Sequence, residues 1–339
     1  MKKLTGIILC SIMCLLLSAC GAQPVQNAKI EPTAPAKTQT TVKAVTDKRL
    51  THSTQDAKAP LVLFTKDASA TGLLRIYEAL GRKPEGKVGI KISFETPGGP
   101  HLDPAMLKPL RDKVNGTFID STGFSAPRHN TEGHLKTAVD NGFTKEIGPI
   151  DILDAEGEMD LPVQGGKHLK FHRTGSHFAN YDSVISIVRF KVHHLRDYGG
   201  TLKNLSICLA STPGKANIHS GGKELGRFYE PDMESFLQSV GEAAKAAQDA
   251  KKDRWVFINV LAGMDQKDTC EGASAIPDIG IVASLDPVAV DQAAIDFAFG
   301  TAKTEKQREA WEQKHQTRVT KYAEEAGAGK QHYRIESID

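Results

Sequence analysis

Cysteine is scarce in this sequence: 339 residues hold five, and Cys10, Cys14 and Cys20 all fall within the first 20 positions. Cys208 and Cys270 are all that remain, too few for the disulfide framework of a small secreted scaffold. The two could pair in an oxidising compartment, but Cys208 lies in an apolar run that reads as buried, which disfavours it. Net charge is also missing. Without residues 1–20, which contribute Lys2 and Lys3 and no acid, 41 basic residues face 41 acidic ones, leaving no electrostatic reason to seek nucleic acid. Beyond residue 20 no apolar run is long enough for a transmembrane helix, and no internal repeat is visible. The glycine pairs Gly98-Gly99, Gly165-Gly166, Gly199-Gly200 and Gly221-Gly222 fit neither the phosphate-loop nor the dinucleotide spacing.

The N-terminus is informative. Lys2 and Lys3 precede an apolar run from Ile7 to Leu17, followed by Leu17-Ser18-Ala19-Cys20. This is the pattern of a signal peptide ending in a lipobox, and the run is too short for a comfortable permanent span. Its resemblance to bacterial lipoproteins implies cleavage before Cys20 and a diacylglyceryl group on that sulfur. Cys20 is then a lipidation site, the membrane is a partner through the lipid, and the chain is expected in the cell envelope on the extracytoplasmic side. From Gly21 to about Ala59 the chain turns to Pro, Ala, Thr, Gln and Lys, which cannot bury enough surface to offset ordering entropy, so residues 21–59 read as a flexible tether. Residues 60–339 are expected to form the folded domain, as one body or as two lobes around a cleft.

Within that domain strand and helix patterns alternate. Strands are predicted at Leu61–Thr65, Val88–Phe94, Thr117–Asp120, Ile150–Leu153, Ser183–Phe190, Trp255–Leu261 and Ile279–Ala283. Helices are predicted at Thr71–Leu80, Asp103-Pro104 to Val114, Asn130 or Thr131 to Val139, Thr201–Ala210, Pro231–Ala250, Pro287–Phe299 and Glu305–Ala326, several of them opened by a capping side chain. This alternation with apolar strands predicts an α/β fold in which a mainly parallel sheet is covered by helices on both faces. Ligands of such folds sit at the carboxyl ends of the strands. Those ends carry Glu95 and His101, then Arg128 and His129, then Lys191, His193 and His194, then Asp265, Asp268 and Cys270.

The stretch from His177 to His219 gathers the most chemistry. Nine of the twelve histidines lie between His101 and His219. Histidine titrates near neutral pH and binds borderline metals, and a lysine in an apolar pocket loses its proton readily. Gly199-Gly200 would let backbone approach an anion, particularly if the amides of a helix from Thr201 face the cleft. A tight turn capped by Lys203-Asn204 is the plainer alternative. His168, His172, His194, His315 and His332 read as satisfied structural residues, whereas His193, Lys203 and His219 are expected to form one functional cluster. Asp286-Pro287 is a helix start, with Asp291 one turn in and able to reach the crevice.

The segments VGIKISFE, RHNTEGH, GSHFANYD, FKVHHLRDYGGTLKNLSICLASTPGKANIHS and DIGIVASLDPVAVDQAAID occur in an order that resembles the domain-of-unknown-function 362 family over nearly all of residues 60–339. Many members of that family carry a ferredoxin-like module with closely spaced cysteines, and this chain has none. Two isolated thiols do not supply the four ligands of an iron-sulfur cluster, so such a cluster is not expected. The order His193, Gly199-Gly200, Lys203, His219 is also similar to that in lactate racemase-type enzymes. That resemblance implies His193 as acid/base, Lys203 as anchor of a nickel-pincer nucleotide and His219 as metal ligand. The second acid/base histidine has no clean counterpart, with Arg128, His129 and His134 all near its place.

The reading is therefore an enzyme or metal-dependent protein acting on a small anionic substrate, with a divalent transition metal as the implied cofactor. Its catalytic candidates are His193, Lys203, His129 and His134; Lys203, Gly199, Gly200 and Asn204 are the cofactor-binding candidates, and His219 and His193 the metal ligands. A lipoprotein that holds a solute or metal without catalysis is the alternative from a different class.

Overall fold

Leu61–Thr65 (β2), Val88–Lys91 (β3), Thr117–Asp120 (β4), Ile150–Ile152 (β5), Ser183–Arg189 (β8), Trp255–Leu261 (β11) and Gly280–Ser284 (β12) are short apolar strands separated by capped helices. A computed structural model describes residues 42–192, 198–223, 232–264, 276–314 and 316–339. Lys43–Ala44 (β1) and Arg334–Ser337 (β13) complete a nine-stranded sheet of order β1-β13-β2-β12-β11-β8-β3-β4-β5. Seven of its strands run parallel, and β12 and β1 run against their neighbours. The α/β, mainly parallel architecture legible in the sequence is thus present, with nine strands in one continuous sheet. Two hairpins lie outside it, Glu158–Pro162 (β6) with Phe171–Gly175 (β7), and Lys191–Val192 (β9) with Tyr198–Gly199 (β10).

Alternation along each strand feeds two cores. Ile90, Ile185, Ile187, Ile258 and Val260 face helices Ala70–Ala79 (α1), Pro104–Val114 (α2) and Thr131–Asp140 (α3). Val184, Phe257, Leu261 and Val282 face the other side, which is covered by Thr201–Leu205 (α4), Thr212–His219 (α5), Met233–Lys251 (α6), Pro287–Phe299 (α7) and Val319–Glu325 (α9). The expected starts are made by side chains: Asp103 caps Ala105, Asn130 caps Gly133, and Asp286 caps Val288 and Ala289. Among the described residues no helix is long and apolar enough to cross a membrane.

Most boundaries shift by one to three residues, and three differ more from the sequence reading. The helix expected over residues 201–210 ends at Leu205, where Ser206 leaves helical geometry, and a new helix begins after the Ser211 cap. The charged run from Glu305 divides into Glu305–Lys314 (α8) and α9. The flexible tether does not reach residue 59. Lys43–Ala44 pairs with β13, and Leu50 is buried. The buried Asp296 carboxylate accepts from the His52 amide at 2.9 Å, the Tyr333 hydroxyl at 2.8 Å and Arg308 at 3.4 Å, and the His52 ring lies 2.9 Å away. Residues 42–53 look like linker by composition because their long-range contacts come from scattered residues, Lys43 and Ala44 on β13 and His52 on Asp296, and not from a periodic apolar face. Cys20, residues 1–41, His193, His194, Asp265, Asp268, Cys270 and His315 lie outside the described residues.

Candidate functional site

The carboxyl ends of β3, β4, β8 and β11 open on one edge of the sheet, as the strand directions require. A buried polar network makes the floor there. Lys91, at the end of β3, has no exposed surface, and its ammonium donates to the Ile92 carbonyl at 2.8 Å, to Asp120 Oδ1 at 2.9 Å and to Asn204 Oδ1 at 2.9 Å. Asp120 Oδ2 in turn accepts from the Phe94 amide at 3.1 Å and lies 3.1 Å from His134 Nε2. Burial alone would push the Asp120 carboxyl up; Lys91 and His134 outweigh it and hold it well below the usual carboxylate range. Asn204 spends its whole amide on the network, with Nδ2 donating to the Lys91 carbonyl at 3.1 Å and to Ser186 Oγ at 2.9 Å. Asn204, a cofactor-binding candidate by sequence, therefore reaches the site as part of its floor.

The start of α4 also differs from expectation. The amides of Thr201 and Leu202 do not present themselves to a ligand: they donate to the Asp291 carboxylate at 2.7 and 2.8 Å. Tyr198 Oη at 3.0 Å and Asn259 Nδ2 at 2.7 Å donate to the same carboxylate, which is fully buried. Burial pushes Asp291 up to about 6 despite these four donors. A Cβ on Gly200 would lie 2.6 Å from the Tyr198 ring and 2.7 Å from Asp291 Oδ1, so that glycine is required for a protein carboxylate to approach, in place of a ligand. Asp291 was legible as a residue one turn into α7; that it closes α4 across the core was not.

Above this floor is a cavity of about 200 Å³. Its lining includes the cationic side chains of Arg128, Arg189, Lys191 and Lys203, the carboxylate of Glu95 and the thiol of Cys208, with Gly199, Gly200 and Asn204 between them. Lys191 Nζ lies 2.8 Å from Glu95 Oε2, and Arg189 Nη1 donates to the Gly263 carbonyl at 2.8 Å. Behind the wall, Lys215 is buried and donates to the Ala210 carbonyl; burial lowers its ammonium to about 8. His172 is buried too and driven down to about 4, so it is neutral, with Nε2 donating to the Leu205 carbonyl at 3.1 Å.

The sequence candidates separate. Lys203, Gly199, Gly200 and Asn204 line the cavity. His129 is exposed, 3.2 Å from its neighbour Asn130, and His134 is enclosed behind Asp120. His219 ends α5, its ring stacked on Phe236 with centroids 4.9 Å apart. Phe236 and Lys203 both line a small apolar recess beside the cavity, so Lys203 and His219 stand on one face of the sheet with Phe236 between them. Among the described residues no group of three or more His, Cys, Asp or Glu side chains is placed to hold a metal ion, and the His219 ring has Phe124 and Phe236 among its neighbours. Sequence reasoning missed Lys91 and Asp120 as parts of the site, and placed Asp291 only within reach of the crevice. Their signal was present as charged residues inside or just after apolar strand and helix patterns.

A comparison with curated protein sequences returns no match. Among solved structures the chain is similar to the lactate racemase apoprotein from Thermoanaerobacterium thermosaccharolyticum, with a TM-score of 0.44 and 12% identity over 69% of this chain. The match spans 56% of that protein's length. The family model described as domain of unknown function (DUF362) matches residues 88–296, a segment that contains the sheet edge, its polar floor and every described residue lining the cavity. The chain belongs to the DUF362 family.

Proposed function

We propose that the cavity holds and turns over a small anionic substrate, and that the protein does so while tethered to a membrane through Cys20. The observation that carries the first part is the convergence of Arg128, Arg189, Lys191 and Lys203 on one cavity of about 200 Å³, with Glu95 as the acidic side chain among the described residues lining it. Clustered cations with low-dielectric walls concentrate anions, and guanidinium groups suit carboxylate or phosphate geometry. The volume suits a molecule of a few heavy atoms better than a nucleotide. Glu95, Lys203 and Cys208 are the groups able to exchange a proton with it or attack it.

The test is calorimetric titration of the full chain with sulfate, phosphate and a panel of small mono- and dicarboxylates, followed by a search for turnover of those that bind. Saturable binding that weakens at least about tenfold in Arg128→Met, as expected for loss of a charge-assisted bidentate contact, is the expected result. Absence of binding across the panel overturns the site. Binding with no turnover of any bound anion would instead favour the non-catalytic solute-binding reading. The tether is supported by the Leu17-Ser18-Ala19-Cys20 motif, and Cys20→Ala is expected to move the protein out of the membrane fraction. Unchanged acylation in that variant would sink this part.

A further inference from the structure

Two residues of the cavity wall, Glu95 and Lys191, are ion-paired with each other. Glu95 follows β3 with φ of 58°, the left-handed region that residues other than glycine, asparagine and aspartate rarely occupy. Asn115, which also has positive φ, closes helix α2, where a left-handed residue is ordinary. Glu95 closes no helix; its unusual backbone carries the chain off the strand end, and its carboxylate lines the cationic cavity 2.8 Å from Lys191. The lysine is accommodated as deliberately. Lys191 pairs with Gly199 across β9 and β10, and a Cβ on Gly199 would stand 2.9 Å from Lys191 Cγ. The aliphatic stem of Lys191 thus lies against bare backbone, and its ammonium meets Glu95 at the cavity wall.

Resting on the anion-site reading, we propose that the Glu95 carboxylate is an internal competitor of the substrate: it occupies Lys191 until a substrate anion binds and displaces it from that ammonium. A carboxylate is the smallest protein group that mimics the charge and oxygen spacing of the proposed ligand. Both partners are about one-fifth exposed, so the pair is open to exchange in a way that the enclosed Lys91–Asp120 pair is not. The charged and titratable groups that line the cavity with Glu95 are Arg128, Arg189, Lys191, Lys203 and Cys208. Among the described residues of the lining, a substrate anion meets these four cations with Glu95 as the opposing charge. The device would favour ligands whose own charge is concentrated enough to outcompete one carboxylate, and so sets a threshold for what enters.

Sulfate is the probe of choice because it stays dianionic across the working range. The full chain is titrated with sulfate at neutral pH and constant ionic strength. Glu95→Gln is expected to bind sulfate about tenfold more tightly than wild type, through loss of one like charge a few ångströms away. Glu95→Gly removes the carboxylate and suits the positive φ, so it must give the same tightening even if the glutamine variant folds poorly. Equal sulfate affinity in wild type and both variants would overturn the competitor role while leaving the anion site standing. No sulfate binding by any of the three would overturn the site itself and this inference with it.

Discussion

Asp120→Ala is expected to lower the free energy of unfolding by about 3–5 kcal/mol, because it strands the Lys91 ammonium in the interior without its charge partner. The melting temperature should fall by on the order of 10 °C, measured by thermal unfolding at neutral pH. Three contacts disappear together: Lys91 Nζ at 2.9 Å, the Phe94 amide at 3.1 Å and His134 Nε2 at 3.1 Å. Acid should erase the difference between wild type and variant. The folded-state carboxyl sits below its ordinary value of 3.8, so its stabilisation is complete above that value and is lost as pH falls through the folded one. Removing both charges with Lys91→Met and Asp120→Ala should cost less than the sum of the single changes, since no uncompensated ion remains. Additive costs in that double-mutant cycle would show that the two groups act separately, and with that the account of the floor fails.

How far the sequence reaches is clear from where it stops. Leu61–Thr65, Thr117–Asp120, Trp255–Leu261 and Pro287–Phe299 agree with their predicted bounds, because apolar patterning bounded by turn or cap residues is a local property. The hairpin of β6 and β7, with its Glu158–Pro162 strand alternating around one buried leucine, and strands β1 and β13 at one end of the sheet carry too few apolar residues for that signal. The site followed the same rule. Cavity residues at strand and helix ends, Glu95, Arg128, Lys191 and Lys203, were visible because topology places strand ends together. The roles of Lys91 and Asp291 depend on partners 113 and 90 positions away, Asn204 and Thr201, which no periodicity encodes. The glycine pair at 199–200 reads in the sequence as either a ligand approach or a tight turn; its clearance lies against Lys191, Tyr198 and Asp291.

Asp291 provides the sharper test, because its stability effect runs with pH in the opposite sense to that of Asp120. Asp291→Ala leaves the Thr201 and Leu202 amides, the Tyr198 hydroxyl and the Asn259 amide without their shared acceptor in a dry interior. A buried unsatisfied donor costs about 1–3 kcal/mol, and four around one void relax together, so a total near 4 kcal/mol is expected. The damage should begin at α4. Hydrogen exchange at Thr201 and Leu202 should approach that of loop amides, and sulfate binding should weaken as Lys203 loses its mounting. Burial raises the folded-state carboxyl of Asp291 from 3.8 to about 6, so the native state holds its proton over a window in which the unfolded chain has released it. The group's contribution is then full below about pH 4 and declines as pH rises through about 6, which makes the gap between wild type and variant widest in mild acid and narrower at neutrality. A gap that instead widens from pH 4 to pH 7 would mean that α4 depends on the ionised carboxylate, with the four donors outweighing burial. Asp291 would then serve α4 as a fixed anion, doing for the helix what the cationic cavity beside it is proposed to accept from solution.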